Sequence, residues 1–476
     1  MKDTIKHTYL AADFGGGSGR IIAGFLLNGR LELEEIYRFS NRQVKLGNHI
    51  YWDFPALFED MKTGLKLAAQ KGYAVKGIGI DTWGVDFGLI DKHGNLLGNP
   101  VCYRDGRTEG MPAEVFKCMD ERRHYAETGI QVMPINTLFQ LYSMKQNQDA
   151  QLEVARQLLF MPDLFSYFLT GVANNEYCIA STSELLNAQS RNWSFDTIHT
   201  LGLPEHLFGE IILPGTIRGT LKEDIARETG LGAVDVIAVG SHDTASAVAA
   251  VPAAESPIAF LSSGTWSLLG VEVDEPILTE EARKAQFTNE GGVDGKIRFL
   301  QNITGLWILQ RLMSEWKACG EEQEYDIIIP QAAEAEIDTI IPVDDTIFMN
   351  PENMENALIH YCRNHALQIP QNKAETVRCV LQSLAFRYRL AVEQLNRCLP
   401  APIRQLNIIG GGSQNKLLNQ LTADELGIPV YAGPVEATAM GNILTQAMAK
   451  GEIANLRELR EIVTRSVTPQ VYYPKK

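Results

Sequence analysis

The sequence predicts an α/β protein built from two halves of related architecture. Each half opens with a strand, a turn of small residues and a second strand, first at 8–27 and again at 257–273. Amphipathic helices and continuous apolar strands follow, and such strands are typical of a parallel sheet covered on both faces. We therefore expect a duplicated fold with two domains, 1–250 and 251–476, joined at the Ala- and Pro-rich segment 245–257.

The first half has the pattern of three strands, a helix and a further strand. Asn28-Gly29 is a strong signal for a tight hairpin between the second and third strands. Asp53 is a suitable N-cap before a run of apolar residues at helical spacing. The predicted elements are strands at 8–13, 20–27, 31–34 and 75–81 and a helix at 54–68.

The second half repeats the strand, turn and strand opening and then adds helices. Its predicted elements are strands at 257–261, 266–273, 296–300 and 406–409 and helices at 306–316, 377–395 and 414–426. The acidic stretch 321–345 is weakly patterned, and no element is predicted there.

Composition excludes several classes of partner. The 476 residues include 43 Lys and Arg against 58 Asp and Glu, a net charge of −15, which argues against nucleic acid and anionic membrane surfaces. No apolar run approaches the ~18 residues of a membrane helix, and residues 1–12 lack the features of a signal peptide. Seven scattered cysteines indicate reduced thiols. We expect a soluble cytoplasmic protein.

The glycine-rich turn at 15–20 is a candidate phosphate site. It lacks the Gly-Lys-Ser/Thr of a Walker loop and the spacing of a Rossmann fingerprint, and it joins two strands. Its backbone amides and the Ser18 hydroxyl suit a phosphate, while Asp13 suits the Mg²⁺ that accompanies ATP. The alternative is that the glycines only shape a hairpin that Asp13 caps.

Two further small-residue turns strengthen the phosphate interpretation. Residues 262–265 occupy the equivalent position in the second half, and two such hairpins facing one another form a clamp. Gly410-Gly411-Gly412 follows a buried strand and exposes bare backbone against which a flat ring could lie. A close strand-to-helix turn is an equally good interpretation of these three glycines.

Polar clusters follow two predicted strands. Asp243, flanked by His242 and Thr244, comes after the strand 236–239, and catalytic groups favour the carboxyl ends of strands. As an alternative, an Asp at the start of a helix is a simple N-cap. In the cluster 81–87, Trp83 could stack on a sugar and Gly84 opens the backbone to a ligand; a core tryptophan and a turn glycine are the alternative.

Seven motifs together resemble the FGGY family of carbohydrate kinases, from residue 8 to about 451. They are DFGGGSGR at 13–20, IDTWGVDF at 80–87, GSHDTASA at 240–247, SGTWS at 263–267, TNEGG at 288–292, NITGLW at 302–307 and GGGSQN at 410–415. The resemblance implies two actin-like, ribonuclease-H-like ATPase domains with the active site in an interdomain cleft. The 80–87 segment is similar to the branch of the family that acts on L-rhamnulose.

The resemblance also implies the reaction and the residues that perform it. The reaction is ATP-dependent, Mg²⁺-assisted phosphorylation of L-rhamnulose at the 1-hydroxyl, in L-rhamnose catabolism. Asp243 is implied as the catalytic base, and Asp13 as the metal-side acid, acting through water. The implied sugar contacts are Gly84, His242, Asp243, Thr244 and Asn302, and the implied ATP contacts are Gly16, Gly17, Ser18, Gly19, Arg20, Thr265, Gln310 and Gly411.

One position departs from the family pattern, and two alternative functions stay open. Family members usually carry Ser or Thr where Gly17 stands, so one hydroxyl that could bind phosphate is missing. A kinase for another ketose, L-fuculose or a xylulose, is the nearest alternative. A non-catalytic sugar sensor on the same scaffold is disfavoured because Asp243 is kept, the charge is negative and no DNA-binding module is added.

Overall fold

The chain folds into two compact α/β units, in agreement with the predicted fold class. The computed structural model describes residues 7–252 and 257–475, so that positions 253–256 of the expected boundary lie outside the described residues. The first unit comprises the described residues of Met1–Ser256 together with Glu272–Phe299 and Ala437–Ser466. The second comprises Pro257–Val271, Leu300–Glu436 and the described residues of Val467–Lys476.

A six-stranded sheet forms the centre of the first unit. Its strands lie in the order Ile217–Thr220, Asp235–Ile237, Ala74–Thr82, His7–Phe14, Ser18–Leu27 and Arg30–Ser40. The second, third and fourth strands in this order are parallel to one another, and the remaining pairs are antiparallel. The carboxyl ends of the three parallel strands therefore meet at one edge of the sheet.

The order of strands and helix predicted at the start of the chain is confirmed. Helix Phe54–Gln70 begins where Asp53 caps it, with its side chain accepting a hydrogen bond from the Ala56 amide at 3.4 Å. The third strand is longer than the predicted 31–34, because it extends along its neighbour to Ser40. A small hairpin of Gln43–Leu46 and His49–Trp52 was not predicted, and the first of these strands is fully exposed.

The helix Ala437–Ala449 completes the core of the first unit. It packs on the strands His7–Phe14 and Ala74–Thr82 and on the helix Asp243–Ala249. Glycines allow this close approach, since a Cβ at Gly79 would collide with Asn442 and one at Gly441 with the carbonyl of Ser246.

The other elements of the first unit surround this core. The helices are Met111–Val115, Glu121–Thr128, Thr137–Gln146, Ala150–Val154, Met161–Thr170, Tyr177–Ala180, Phe195–Thr200, Glu223–Thr229, Glu280–Lys284 and Leu456–Ser466, and the strands are Phe87–Asp91, Ala155–Phe160, Asn175–Glu176, Leu186–Asn187, Asn192–Trp193, Ile211–Ile212 and Thr288–Gly291.

The second unit contains most of a second sheet and five helices. Neighbouring strands are, in order, Ile297–Thr304, Trp266–Val273, Ile258–Ser263, Leu406–Ile409, Val430–Ala432 and Gln470–Tyr472. The helices are Trp307–Ala318, Tyr325–Glu334, Met354–Asn364, Lys373–Cys398 and Lys416–Leu426. The helix at 325–334 lies in the acidic stretch without a predicted element, and Pro330 inside it interrupts the helical pattern.

No helix in the part of the chain that the structure describes is both long enough and apolar enough to cross a membrane.

Candidate active site

The glycine turn at 15–17 connects the first two strands of the first unit. Phe14 and Gly19 are cross-strand partners, and the turn is closed by the Gly15 amide, which donates to the Ser18 carbonyl at 2.9 Å. Asn41 holds it from the outside, since its side-chain amide donates to the Gly15 carbonyl at 2.8 Å. Gly16 and Gly17 stay exposed. Their backbone is thus accessible, and the phosphate contact stays a prediction.

Asp13 and Arg20 face each other across the base of this turn. They are direct partners in the antiparallel register, and Nη2 of Arg20 donates to Oδ2 of Asp13 at 2.6 Å. Asp13 is also the register partner of Asp81 on the parallel strand Ala74–Thr82. The predicted metal-side acid therefore lies between a cation and a second carboxyl group.

Three aspartates gather at the edge where the parallel strands end. Asp81 is fully buried, and Nδ2 of Asn442 donates to its Oδ2 at 2.5 Å. Burial raises the pKa of Asp81 well above its usual range, and the charges of Asp13 and Asp243 raise it further. Each of these carboxyl groups therefore disfavours the charged form of its neighbours.

Asp243 is the first residue of the helix Asp243–Ala249, just after the strand Asp235–Ile237 and its loop. Its side chain keeps 30% of its accessible surface. Its carboxylate accepts a hydrogen bond from the Thr244 hydroxyl at 3.0 Å. Burial and the charge of Asp13 raise the pKa of Asp243, while the imidazole of His242 and the Thr244 hydroxyl oppose the shift. The predicted base and two predicted sugar contacts are therefore neighbours.

The loop around Gly84 adjoins the same edge, because the Thr82 amide donates to the Ser241 carbonyl at 2.9 Å. Val85 has a left-handed backbone with φ of +67°, which is rare for a β-branched residue. Its amide donates to Thr182 Oγ1 at 3.1 Å, and its carbonyl accepts from Thr137 Oγ1 at 2.6 Å. These bonds hold the Gly84 peptide in one orientation.

Trp83 is a core residue in this loop. Its side chain is only 6% exposed, and its ring lies 4.2 Å from that of Trp52. Of the two interpretations of Trp83, burial against Trp52 favours the core tryptophan.

In the second unit, two of the four predicted ligand contacts touch directly. Thr265 Oγ1 donates to Gln310 Oε1 at 3.1 Å. The turn containing Gly411 lies beside Ser263, because the strands Ile258–Ser263 and Leu406–Ile409 are parallel neighbours that end at the same edge. Gly411 is exposed, with open space at its Cβ position. The fourth, Asn302, is half-buried on the strand Ile297–Thr304.

Sequence reasoning missed several groups that shape the site of the first unit. Asp81 and Asp86 lay in a recognised polar cluster, but without a role. Glu290 and Arg298, which both contact His242, were not singled out although Glu290 lies in the TNEGG motif. Only the motif signalled Glu290, and no local pattern marks Asn442 as a partner of Asp81.

The acidic edge fits a hydrated metal ion better than a directly ligated one. Among residues 7–252 and 257–475, no three His, Cys, Asp or Glu side chains come close enough to hold a metal together. Mg²⁺ usually keeps several waters and takes one or two carboxylates together with substrate phosphates. The carboxyl groups of Asp13, Asp81 and Asp243 suit a dication of that kind, because its charge would stabilise their ionised forms.

Family models match almost the whole chain. The N-terminal domain of the FGGY family of carbohydrate kinases matches residues 9–250, and the C-terminal domain of the same family matches residues 259–450. A rhamnulokinase of Bacteroides thetaiotaomicron is 47% identical, with 99% of this chain and 96% of that protein covered. A rhamnulokinase of Oceanobacillus iheyensis is 41% identical, with 97% of each covered.

Solved structures share the fold at low sequence identity. A gluconate kinase from Lactobacillus acidophilus has a TM-score of 0.81 at 15% identity, covering 99% of this chain and 94% of that one. A Plasmodium falciparum glycerol kinase with ADP has a TM-score of 0.79 at 14% identity, covering 99% and 94%.

Fold, motifs and relatives agree on the class of protein, a two-unit α/β sugar kinase. The chain belongs to the FGGY family of carbohydrate kinases, which confirms the predicted resemblance and the predicted kinase activity. Membership implies the use of ATP and, typically, of a divalent metal.

Proposed function

We propose that this protein transfers the γ-phosphoryl group of ATP to the 1-hydroxyl of L-rhamnulose, giving L-rhamnulose 1-phosphate and ADP in L-rhamnose catabolism. The similarity to curated rhamnulokinases over nearly the full chain supports this substrate above L-fuculose or a xylulose. The observation that carries the proposal is the partly exposed Asp243 carboxylate at the edge where the parallel strands end.

Asp243 is the proposed catalytic base. As the sugar oxygen attacks, its O–H bond breaks toward the Asp243 carboxylate, a new oxygen–phosphorus bond forms, and the bond from the γ-phosphorus to ADP breaks in line. The raised pKa of Asp243 brings its basicity closer to that needed for accepting a proton near neutral pH. Such general-base assistance contributes roughly 10²–10⁴-fold to the rate.

The phosphate contacts come from the glycine turns. We propose that Gly16, Gly17, Ser18, Gly19 and Arg20 contact ATP in the first unit, and Thr265, Gln310 and Gly411 in the second. Asp13 is the proposed metal-side acid, acting through water. Bound Mg²⁺ would neutralise charge that develops on the phosphoryl oxygens.

The proposed sugar contacts are Gly84, His242, Asp243, Thr244 and Asn302. The hydrogen bonds that fix the Val85 peptide support a preorganised Gly84 backbone, because a loop held in one conformation loses less entropy on binding.

The proposed kinase domains run from 1 to 250 and from 251 to 476. With acidic charge and scattered thiols, we place the protein in the cytoplasm, without nucleic-acid or membrane partners.

Substitution of the base tests the proposal. In Asp243→Asn we expect kcat to fall at least a hundredfold, because the amide cannot accept the proton at neutral pH. The affinity for ATP should stay within about twofold. Turnover is measured with L-rhamnulose and ATP binding by calorimetry. The control is Asp91→Asn, an acidic residue whose carboxylate bonds only within its own turn, at His93 and Asn95. Retained turnover in Asp243→Asn would contradict the assignment.

A further inference from the structure

A buried arginine lies behind the proposed sugar contact His242. Arg298 has no exposed surface, and its Nε donates to the Gly291 carbonyl at 2.8 Å. Its Nη2 lies 3.1 Å from Oε2 of Glu290 and also 3.1 Å from Nδ1 of His242. The guanidinium therefore connects a buried carboxylate to one ring nitrogen of the histidine.

This contact restricts where the histidine carries its proton. A guanidinium has only donors, so Nη2 can bond to Nδ1 only when that nitrogen presents a lone pair. Glu290 Oε2 also lies 3.2 Å from the same nitrogen, and a hydrogen bond between these two atoms would need the opposite tautomer. That tautomer would direct an N–H toward a buried cation, whereas an unprotonated Nδ1 presents its lone pair to Nη2 and leaves the Glu290 carboxylate paired in charge with the guanidinium. The neutral ring therefore carries its proton on Nε2.

The second ring nitrogen faces the base. Nε2 of His242 lies 3.5 Å from Oδ1 of Asp243, longer than a normal hydrogen bond but close enough for an N–H dipole to favour the carboxylate. The charge of Asp13 adds repulsion to the Asp243 carboxylate, and the Thr244 hydroxyl bonds the same Oδ1. An Nε2 proton opposes that repulsion and orients the carboxylate.

We propose that Arg298 and Glu290 are positioning residues that hold His242 as the Nε2-protonated tautomer, so that its N–H faces the Asp243 carboxylate. This inference rests on the proposed role of Asp243 in the kinase reaction. Neither residue needs to touch the sugar or ATP, because both act through the histidine ring.

The tautomer is measured directly in the full-length protein. After labelling with ¹⁵N-histidine, with the His242 signals assigned by their loss in His242→Asn, we expect Nε2 to resonate as a protonated nitrogen and Nδ1 as an unprotonated one. Arg298→Met, which removes the donor, should convert the ring to the other tautomer or to a mixture. A proton on Nδ1 in the unmodified protein would overturn the proposal.

Kinetics separate positioning from stability. In Glu290→Gln and Arg298→Lys we expect kcat to fall roughly ten- to hundredfold, a part of the general-base contribution, with little change in KM for ATP. Arg460→Met removes a comparable buried pair with Glu272 in the same unit and should leave the tautomer and kcat unchanged. If Arg298→Met does not fold, the two milder variants still give the answer.

The two proposals fail in different ways. Unchanged kcat in folded Glu290→Gln and Arg298→Lys would overturn the positioning role, even if L-rhamnulose is turned over. An unmodified protein that phosphorylates no ketose would contradict the proposed function. The resonances of His242 would still show which ring nitrogen carries the proton, because this measurement does not depend on turnover.

Discussion

At the scale of single residues, Asp86 illustrates how distant segments create one environment. Its fully buried carboxylate accepts hydrogen bonds from the indoles of Trp52 and Trp83 at 2.6 and 2.9 Å, from the Tyr103 amide and from the Gln140 side chain. Burial nevertheless raises the pKa of Asp86 from 3.8 to about 6. The sequence marks this residue as polar but cannot show that donors from 52, 103 and 140 enclose it.

The shifted pKa of Asp86 predicts a pH dependence of stability. Because the folded state holds this proton more tightly than the unfolded chain, the free energy of unfolding should decline as pH rises from about 4 to about 6. This one group contributes a decline of about 3 kcal/mol, which Asp86→Asn should remove. Urea unfolding at several pH values in that range measures the difference between the two proteins.

Asp91 should affect stability with the opposite pH dependence and serves as the control. Hydrogen bonds from Asn95 and His93 hold the pKa of its carboxyl below the usual range. Its stabilising contribution is therefore present above the unfolded pKa and is lost as pH falls. Equal slopes for the unmodified protein and Asp86→Asn would contradict the account of Asp86.

At the scale of elements, the first hairpin was among the parts of the fold that the sequence predicts most accurately. The turn at 15–17 lies between strands whose apolar faces are continuous, and both strands were placed to within two residues. The hairpin after residue 42 was missed, since its first strand is fully exposed and has no buried face to produce an alternating pattern. Local patterns thus predict elements that bury a face and fail for those that do not.

The missing hydroxyl in the first hairpin can be restored. Gly17 has open space at its Cβ position and no left-handed φ, so Gly17→Ser should fit without strain. A new bond to a charged phosphate is worth about 1 kcal/mol or more, and we expect KM for ATP to fall roughly fivefold. Steady-state kinetics with varied ATP measure the change.

Gly19→Ser is the matched variant at the other end of the same turn. A Cβ at Gly19 would collide with the ring of Phe39, so this substitution should lower stability and raise KM for ATP. An unchanged or higher KM in folded Gly17→Ser would contradict a phosphate role for the turn.

At the scale of the whole molecule, the first unit is assembled from separate parts of the chain. The helix Ala437–Ala449 contributes the Asn442 bond to Asp81 and a 3.0 Å bond from Gln446 to the Leu10 carbonyl. Helical spacing alone does not tell which strand such a helix covers, so this completion of the site could not be predicted. The resemblance to a family supplied the proposed ligand contacts, whereas the residues that support them were recognised only from the fold.

This assembly predicts how a truncated chain behaves. A fragment of 1–250 lacks the helix that covers Ala74–Thr82, so its core would be exposed. We expect it to unfold without a cooperative transition, and a fusion that joins residues 437–466 to it through a flexible linker to regain cooperativity in part. Urea titration followed by circular dichroism compares them. A cooperative transition of the bare fragment, as stable as the fusion, would contradict this view.

The central claim concerns the reaction, and the release of ADP from Mg·ATP with a panel of ketoses tests it most directly. L-rhamnulose is compared with L-fuculose, D-xylulose and L-xylulose under identical conditions. We predict a kcat/KM at least a hundredfold higher for L-rhamnulose. Preference for another of these sugars, or no turnover of any of them with ATP still bound, would contradict the claim.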